Sequence, residues 1–109
     1  MAKYKLVAKK GLGQNFLADA NILRKIVAAA QLSPSDLVLE IGPGLGALTV
    51  ALAEAAGRVI AVETDRSLAP LLAEVLADQD NVGLVFGDIL KLDPVTLLGP
   101  EHNGAKVVA

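Results

Sequence analysis

The stretch Glu40-Ile41-Gly42-Pro43-Gly44-Leu45-Gly46 constrains this chain more than any other. It follows the strand-like run Asp36-Leu37-Val38-Leu39 and precedes the helix-like run Ala47-Leu48-Thr49-Val50-Ala51-Leu52-Ala53. Three alternating glycines at such a junction let the backbone turn tightly and come close to a ligand, where any Cβ would hold the ligand off. Glu40 stands two residues ahead of the first glycine. A carboxylate there suits a ligand with positive charge or donor groups better than a pyrophosphate.

The pattern on either side predicts alternating helices and strands. Asp19 can cap a helix over 20–30, with Ile22, Leu23, Ile26 and Val27 on one face. Strands are expected over 37–41, 58–63 and 82–86, as short apolar runs buried on both faces. Helices are expected over 46–56, ended by Gly57 as its C′ residue, and over 67–76, with Pro70 tolerated near its first turn. Asp93-Pro94 opens a short turn or helix through Leu98. Residues 105–109 begin a fourth strand. This spacing implies right-handed βαβ units and therefore an α/β fold with a parallel sheet. A buried strand in the last five residues would leave an apolar edge open to self-association. Its simplest account is that the chain is a piece of a longer protein.

Composition narrows the function. The chain has 109 residues, which bounds it to one domain. Hydrophobic residues make up 53%, which excludes a disordered chain, and aromatics only 3%, so Leu, Val, Ile and Ala must build the core. With no Cys and one histidine, His102, neither a disulfide framework nor a metal site is expected. No apolar run approaches the roughly 20 residues that span a bilayer, and no signal peptide is evident, so a cytoplasmic protein is expected. The net charge of −2 does not itself point to nucleic acid. Lys3, Lys5, Lys9 and Lys10, however, form a basic arm free of acids. Such an arm is either a solvated terminus or a phosphate contact.

Three polar features stand at successive strand ends. The glycine loop follows the first strand, Glu63 closes the second and Asp88 follows the third. In open α/β sheets ligands bind at the carboxyl ends of the strands, so the fold should bring all three to one crevice. Glu63 lies 21 residues beyond Gly42, where an acid can accept both hydrogen bonds of a ribose diol. Asp88 can accept from the exocyclic amine of adenine. Taken singly, each acid has a plainer reading: Glu63 as a solvent-facing strand end, Asp88 as a turn cap, Glu40 as an internally paired strand residue. Two ligands compete for the joint arrangement. Gly-x-Gly-x-x-Ala from Gly42 also satisfies the dinucleotide fingerprint, with Glu63 as its acid. Glu40, Gly46 and Asp88 together favour S-adenosylmethionine over NAD.

Four motifs carry a resemblance to a known family. Gly13-Gln14-Asn15-Phe16-Leu17, Glu40 to Thr49, Val62-Glu63-Thr64-Asp65 and Gly87-Asp88-Ile89-Leu90 resemble, in order and spacing, the ribosomal RNA adenine N6-dimethyltransferases. The resemblance covers about residues 10–109. It implies a three-layer class I methyltransferase (Rossmann-like) fold, the sheet stopping just after its fourth strand begins. Residues 1–18 would be a basic arm and cofactor-contacting segment, and 19–109 part of the S-adenosylmethionine-binding domain.

By position, Asn15 and Leu17 would contact the methionine part of S-adenosyl-L-methionine. Gly42 and Gly44 would line the loop beneath it, Glu63 would hold the ribose hydroxyls, and Asp88 the adenine amine. Lys3, Lys5, Lys9 and Lys10 would touch phosphates of small-subunit rRNA, its partner in the ribosome. The activity implied is N6-dimethylation of two adjacent adenines. The family's catalytic box, Asn-Leu-Pro-Tyr, does not occur in the sequence, so no catalytic residue is assigned and this chain alone is expected to be inactive. The alternatives are an NAD-dependent oxidoreductase fragment and a non-catalytic RNA-binding or ribosome-assembly module.

Overall fold

The computed structural model describes residues 5–7, 20–99 and 104–109. In chain order they form β1 (Lys5–Val7), α1 (Ala20–Ala30), β2 (Leu37–Ile41), α2 (Ala47–Ala55), β3 (Arg58–Glu63), α3 (Ala69–Val75), β4 (Val82–Phe86), α4 (Pro94–Leu98) and β5 (Lys106–Val108). Single 3₁₀ turns, Arg66–Leu68 and Ile89–Lys91, follow β3 and β4.

The strands make one sheet in the order β1-β5-β2-β3-β4, and every pair is parallel. After β2 the chain winds one way through β3 and β4, then crosses back to lay β5 on the other side of β2. The switch point therefore lies at the carboxyl ends of β2 and β5, where open sheets hold their ligands.

Strand alternation divides the core into two layers. Val38 and Val59 pack with Ile26, Leu48 and Leu52 beneath α1 and α2. Leu37, Leu39, Ile60 and Val62 point the other way, toward Leu98 and Ala105. Each central strand thus buries both faces, which is why its sequence reads as continuously apolar rather than alternating.

Three details differ from the sequence reading. Lys5–Val7, inside the expected basic arm, is a strand; three residues are too few to show a period, and its pairing comes entirely from β5. The fourth strand of the sequence, β5, is not an open edge, because β1 covers one side and β2 the other. Self-association through that edge is therefore closed off. The helix expected over 67–76 begins with the 3₁₀ turn, which Asp65 caps by accepting from the Ser67 N–H at 3.0 Å.

Gly57 does follow the Ala56 cap of α2 as its C′ residue, but without the left-handed conformation usual there, since it is absent from the positive-φ glycines. It is required for close approach instead, since a Cβ there would sit 2.1 Å from the Pro34 carbonyl oxygen. Asn81 takes over the capping of α2, its amide donating to the carbonyls of Ala53 (2.8 Å) and Ala56 (3.1 Å).

The α1–β2 turn is tied to β5 by Lys106, whose ammonium donates to the Gln31 carbonyl at 2.6 Å and pairs with Asp36 at 3.0 Å. That hydrogen bond from Lys106 holds the Asp36 carboxyl below its ordinary value of 3.8.

Two outcomes follow. Gly57→Ala should lower stability in urea unfolding by about 1–3 kcal/mol, the usual result of forcing atoms into a filled space. Because the Asp36 pKa is depressed on folding, its contribution is present above the unfolded value and lost as pH falls through the lower, folded one. Asp36→Asn should therefore flatten the stability–pH curve below about pH 4 and reduce stability near neutrality.

Candidate cofactor crevice

The glycine loop leaves β2 with Gly42, Gly44 and Gly46 at φ of 76°, 57° and 87°. All three lie in the left-handed region, which accounts for their alternation. Among the described residues, and apart from its chain neighbours, an added Cβ at Gly42 would meet no atom within 4 Å, so these residues leave space beside it for a ligand. At Gly46 the same atom would press on Val75 and Leu72 of α3, at 3.0 and 3.2 Å.

The loop's glycine amides are already committed. Gly42 N–H donates to the Val62 carbonyl at 2.8 Å, Gly44 N–H to Glu63 Oε1 at 3.1 Å, and Gly46 N–H to the Pro43 carbonyl at 2.9 Å. A phosphate-binding loop turns such amides outward to the anion. Here they turn inward, and one faces a carboxylate that would repel a phosphate.

Glu63 closes β3 and is only 7% exposed. Its two oxygens accept from separate amides, Oε1 from Gly44 and Oε2 from Asp65 at 3.0 Å. Each oxygen has two acceptor sites, so each retains one for a further donor. Asp65 is itself steadied by Ser67, whose hydroxyl and amide hold its carboxyl below the ordinary 3.8.

The loop after β4 is sewn to the same strand end, Gly87 N–H donating to the Glu63 carbonyl at 2.9 Å. Asp88 follows at once, half-buried, with Oδ1 accepting from the Leu90 N–H at 2.9 Å.

The structure thus brings Gly42, Gly44, Glu63 and Asp88 to one edge of the sheet. Asp88 does cap a turn, as its plainer reading had it, and Glu40 is paired internally: the Thr49 hydroxyl donates to its buried carboxylate. Glu63 does not face solvent. Asn15, Leu17, Lys3, Lys9 and Lys10 lie outside the described residues. Lys5 opens β1 opposite Lys106, the first residue of β5, which places it at the amino end of the sheet, away from the crevice.

Sequence reasoning missed two exposed apolar groups on the crevice segments, Leu45 at 55% and Leu90 at 90% exposure; nothing in a single sequence distinguishes an exposed leucine from a core one. Two grooves lined by described residues lie elsewhere, one between α1 and α2 and one over β3 and β4. Among the described residues no three His, Cys, Asp or Glu side chains gather as metal ligands.

The fold is that of a class I methyltransferase. The chain superposes on the crystal structure of the 23S rRNA methyltransferase ErmE with a TM-score of 0.73 and 38% identity, covering 86% of this chain and 36% of that one. Coclaurine N-methyltransferase bound to N-methylheliamine and S-adenosylhomocysteine gives a TM-score of 0.61 and 28% identity, over 70% of this chain and 24% of that one. The sequence model of the ribosomal RNA adenine dimethylases matches residues 6–109, and the chain belongs to that family.

Ribosomal RNA small subunit methyltransferase A of Pelotomaculum thermopropionicum is 53% identical over 105 residues, 96% of this chain and 36% of that protein. The chain spans about a third of the length of the curated relatives it matches.

Glu63→Gln tests the loop's anchorage. An amide has only one acceptor oxygen, so one of the two N–H groups loses its partner. Stability should fall by about 1–3 kcal/mol, with faster amide exchange at Gly44 or Asp65. Unchanged exchange at both would show that the carboxylate does not hold the loop.

Proposed function

We propose that this chain is the S-adenosylmethionine-binding part of an enzyme that dimethylates N6 of adjacent adenines in small-subunit rRNA. The observation that carries the reading is the Glu63 carboxylate at the glycine bend. It closes the loop to phosphate while keeping one acceptor site per oxygen for a ribose diol. Family membership supports the rRNA substrate, and the open space beside Gly42 supports a ligand seated on the loop.

When bound, S-adenosylmethionine supplies an electrophilic methyl group on a sulfonium. This chain's residues bind and orient. Glu63 accepts from the ribose hydroxyls, Asp88 accepts from the adenine amine through its remaining oxygen, and Gly42 and Gly44 let the backbone approach. Asn15 and Leu17 contact the methionine part. Lys3, Lys5, Lys9 and Lys10 meet rRNA phosphates, contacts that weaken with salt and carry little sequence information. The cytoplasm is the compartment of such a substrate, and no helix among the described residues is long and apolar enough to cross a membrane. Holding the target amine falls to the Asn-Leu-Pro-Tyr box, which the sequence does not contain, so this chain transfers no methyl group by itself.

Calorimetric titration separates this reading from its NAD rival. S-adenosylhomocysteine should bind and NAD should not. Asp88→Ala should weaken the former about tenfold, the worth of one hydrogen bond to a charged group. Binding of NAD alone would overturn the assignment. Labelled cofactor incubated with small ribosomal subunits and this chain should leave adenine unlabelled.

A further inference from the structure

Glu40 is a carboxylate with no exposure to solvent, near the carboxyl end of the central strand. Its register partners are Ala61 of β3 and Val108 of β5, both fully buried. Val38, on the same face of β2, belongs to the apolar layer beneath α1 and α2. Thr49, the third residue of α2, is equally buried, and its hydroxyl donates to Glu40 Oε1.

Packing does not account for this pair. A buried carboxylate is costly unless hydrogen-bonded, and an apolar pair of similar volume commonly stabilises a core as well or better. What the pair supplies is direction. An apolar contact lets a helix slide or rotate by small amounts; a hydrogen bond from a short, β-branched side chain does not. The chain between Glu40 and Thr49 contains the whole glycine loop. Its glycines carry backbone freedom that must be removed before a ligand can find a set shape. Among the described residues, contacts from outside the loop remove it at its entry, middle and exit. Val62 holds the entry at Gly42, Glu63 holds the middle at Gly44, and the Thr49–Glu40 bond holds the exit at the start of α2.

We propose that Thr49 is a positioning residue for cofactor binding, acting through Glu40 to set α2 and hence the path of Gly42–Gly46 over the end of β2. This rests on the cofactor assignment above. Thr49 touches no ligand; its hydroxyl determines where the loop lies when the ligand arrives.

The test uses the 109-residue chain with S-adenosylhomocysteine as the probe. Thr49→Val keeps shape and removes the donor; Thr49→Ser keeps the donor. Thr49→Val should weaken binding about tenfold, the value of a hydrogen bond to a charged acceptor, and shift the Gly44 and Gly46 amide resonances of the ligand-free chain. Thr49→Ser should restore affinity to within about threefold, corresponding to less than 1 kcal/mol. Wild-type affinity and unmoved glycine resonances in Thr49→Val would overturn the proposal.

If Thr49→Val does not fold, Glu40→Gln decides instead, since its amide oxygen still accepts the hydroxyl. Affinity near wild type supports positioning; abolished binding in a folded Glu40→Gln protein means that Glu40 acts by charge, and the proposal fails. A wild-type chain that binds no S-adenosylhomocysteine defeats the cofactor assignment instead. The ligand-free resonances then still judge Thr49 alone.

Discussion

The carboxylate of Glu63 is the contact on which the crevice depends. It ties the loop after β2 to the exit of its own strand by taking the amides of Gly44 and Asp65, while the same residue's backbone carbonyl takes the Gly87 amide from the loop after β4. Backbone amides at a strand end must find acceptors once water is excluded. Supplying one of those acceptors from a side chain lets the same residue present unused acceptor sites outward. In the proposed reading, structural and binding roles meet in this one group.

That merger is made available by the parallel sheet. Because β2, β3 and β4 run the same way, their exits share one edge. Helix α2 is positioned from both ends. Asn81 caps its last carbonyls from the start of β4, and Thr49 reaches Glu40 near its first turn. Gly57 lets the next turn pass against the Pro34 carbonyl. A helix of nine residues is too short to be stable by propensity, so its place is set by these tertiary contacts.

The inward-facing glycine amides also separate this loop from the dinucleotide loops that its sequence resembles. The Gly-x-Gly-x-x-Ala pattern is common to both. The direction of the amides is not encoded in the glycines; it follows from which acceptors lie beneath them, here Val62 and Glu63 from β3 and Pro43 within the loop. The competing NAD reading was open for that reason, since spacing alone records where the chain turns and not where its donors point.

Much of the architecture was legible in the chain. The bounds of α1, β2, β3, β4 and α4, the parallel arrangement and the shared edge of Gly42, Glu63 and Asp88 all follow from local apolar runs, breakers and the handedness of βαβ units, which are properties of neighbouring residues. The strand at Lys5–Val7, the close approach at Gly57, the capping by Asn81 and the Thr49–Glu40 bond were not. Each involves a partner from 9 to about 100 positions away. Sequence determined which segments could be buried and where the chain would bend, because periodicity and backbone preference are local. The tertiary structure alone decided which distant groups meet there, since hydrogen-bond partners across a sheet are chosen by register and packing.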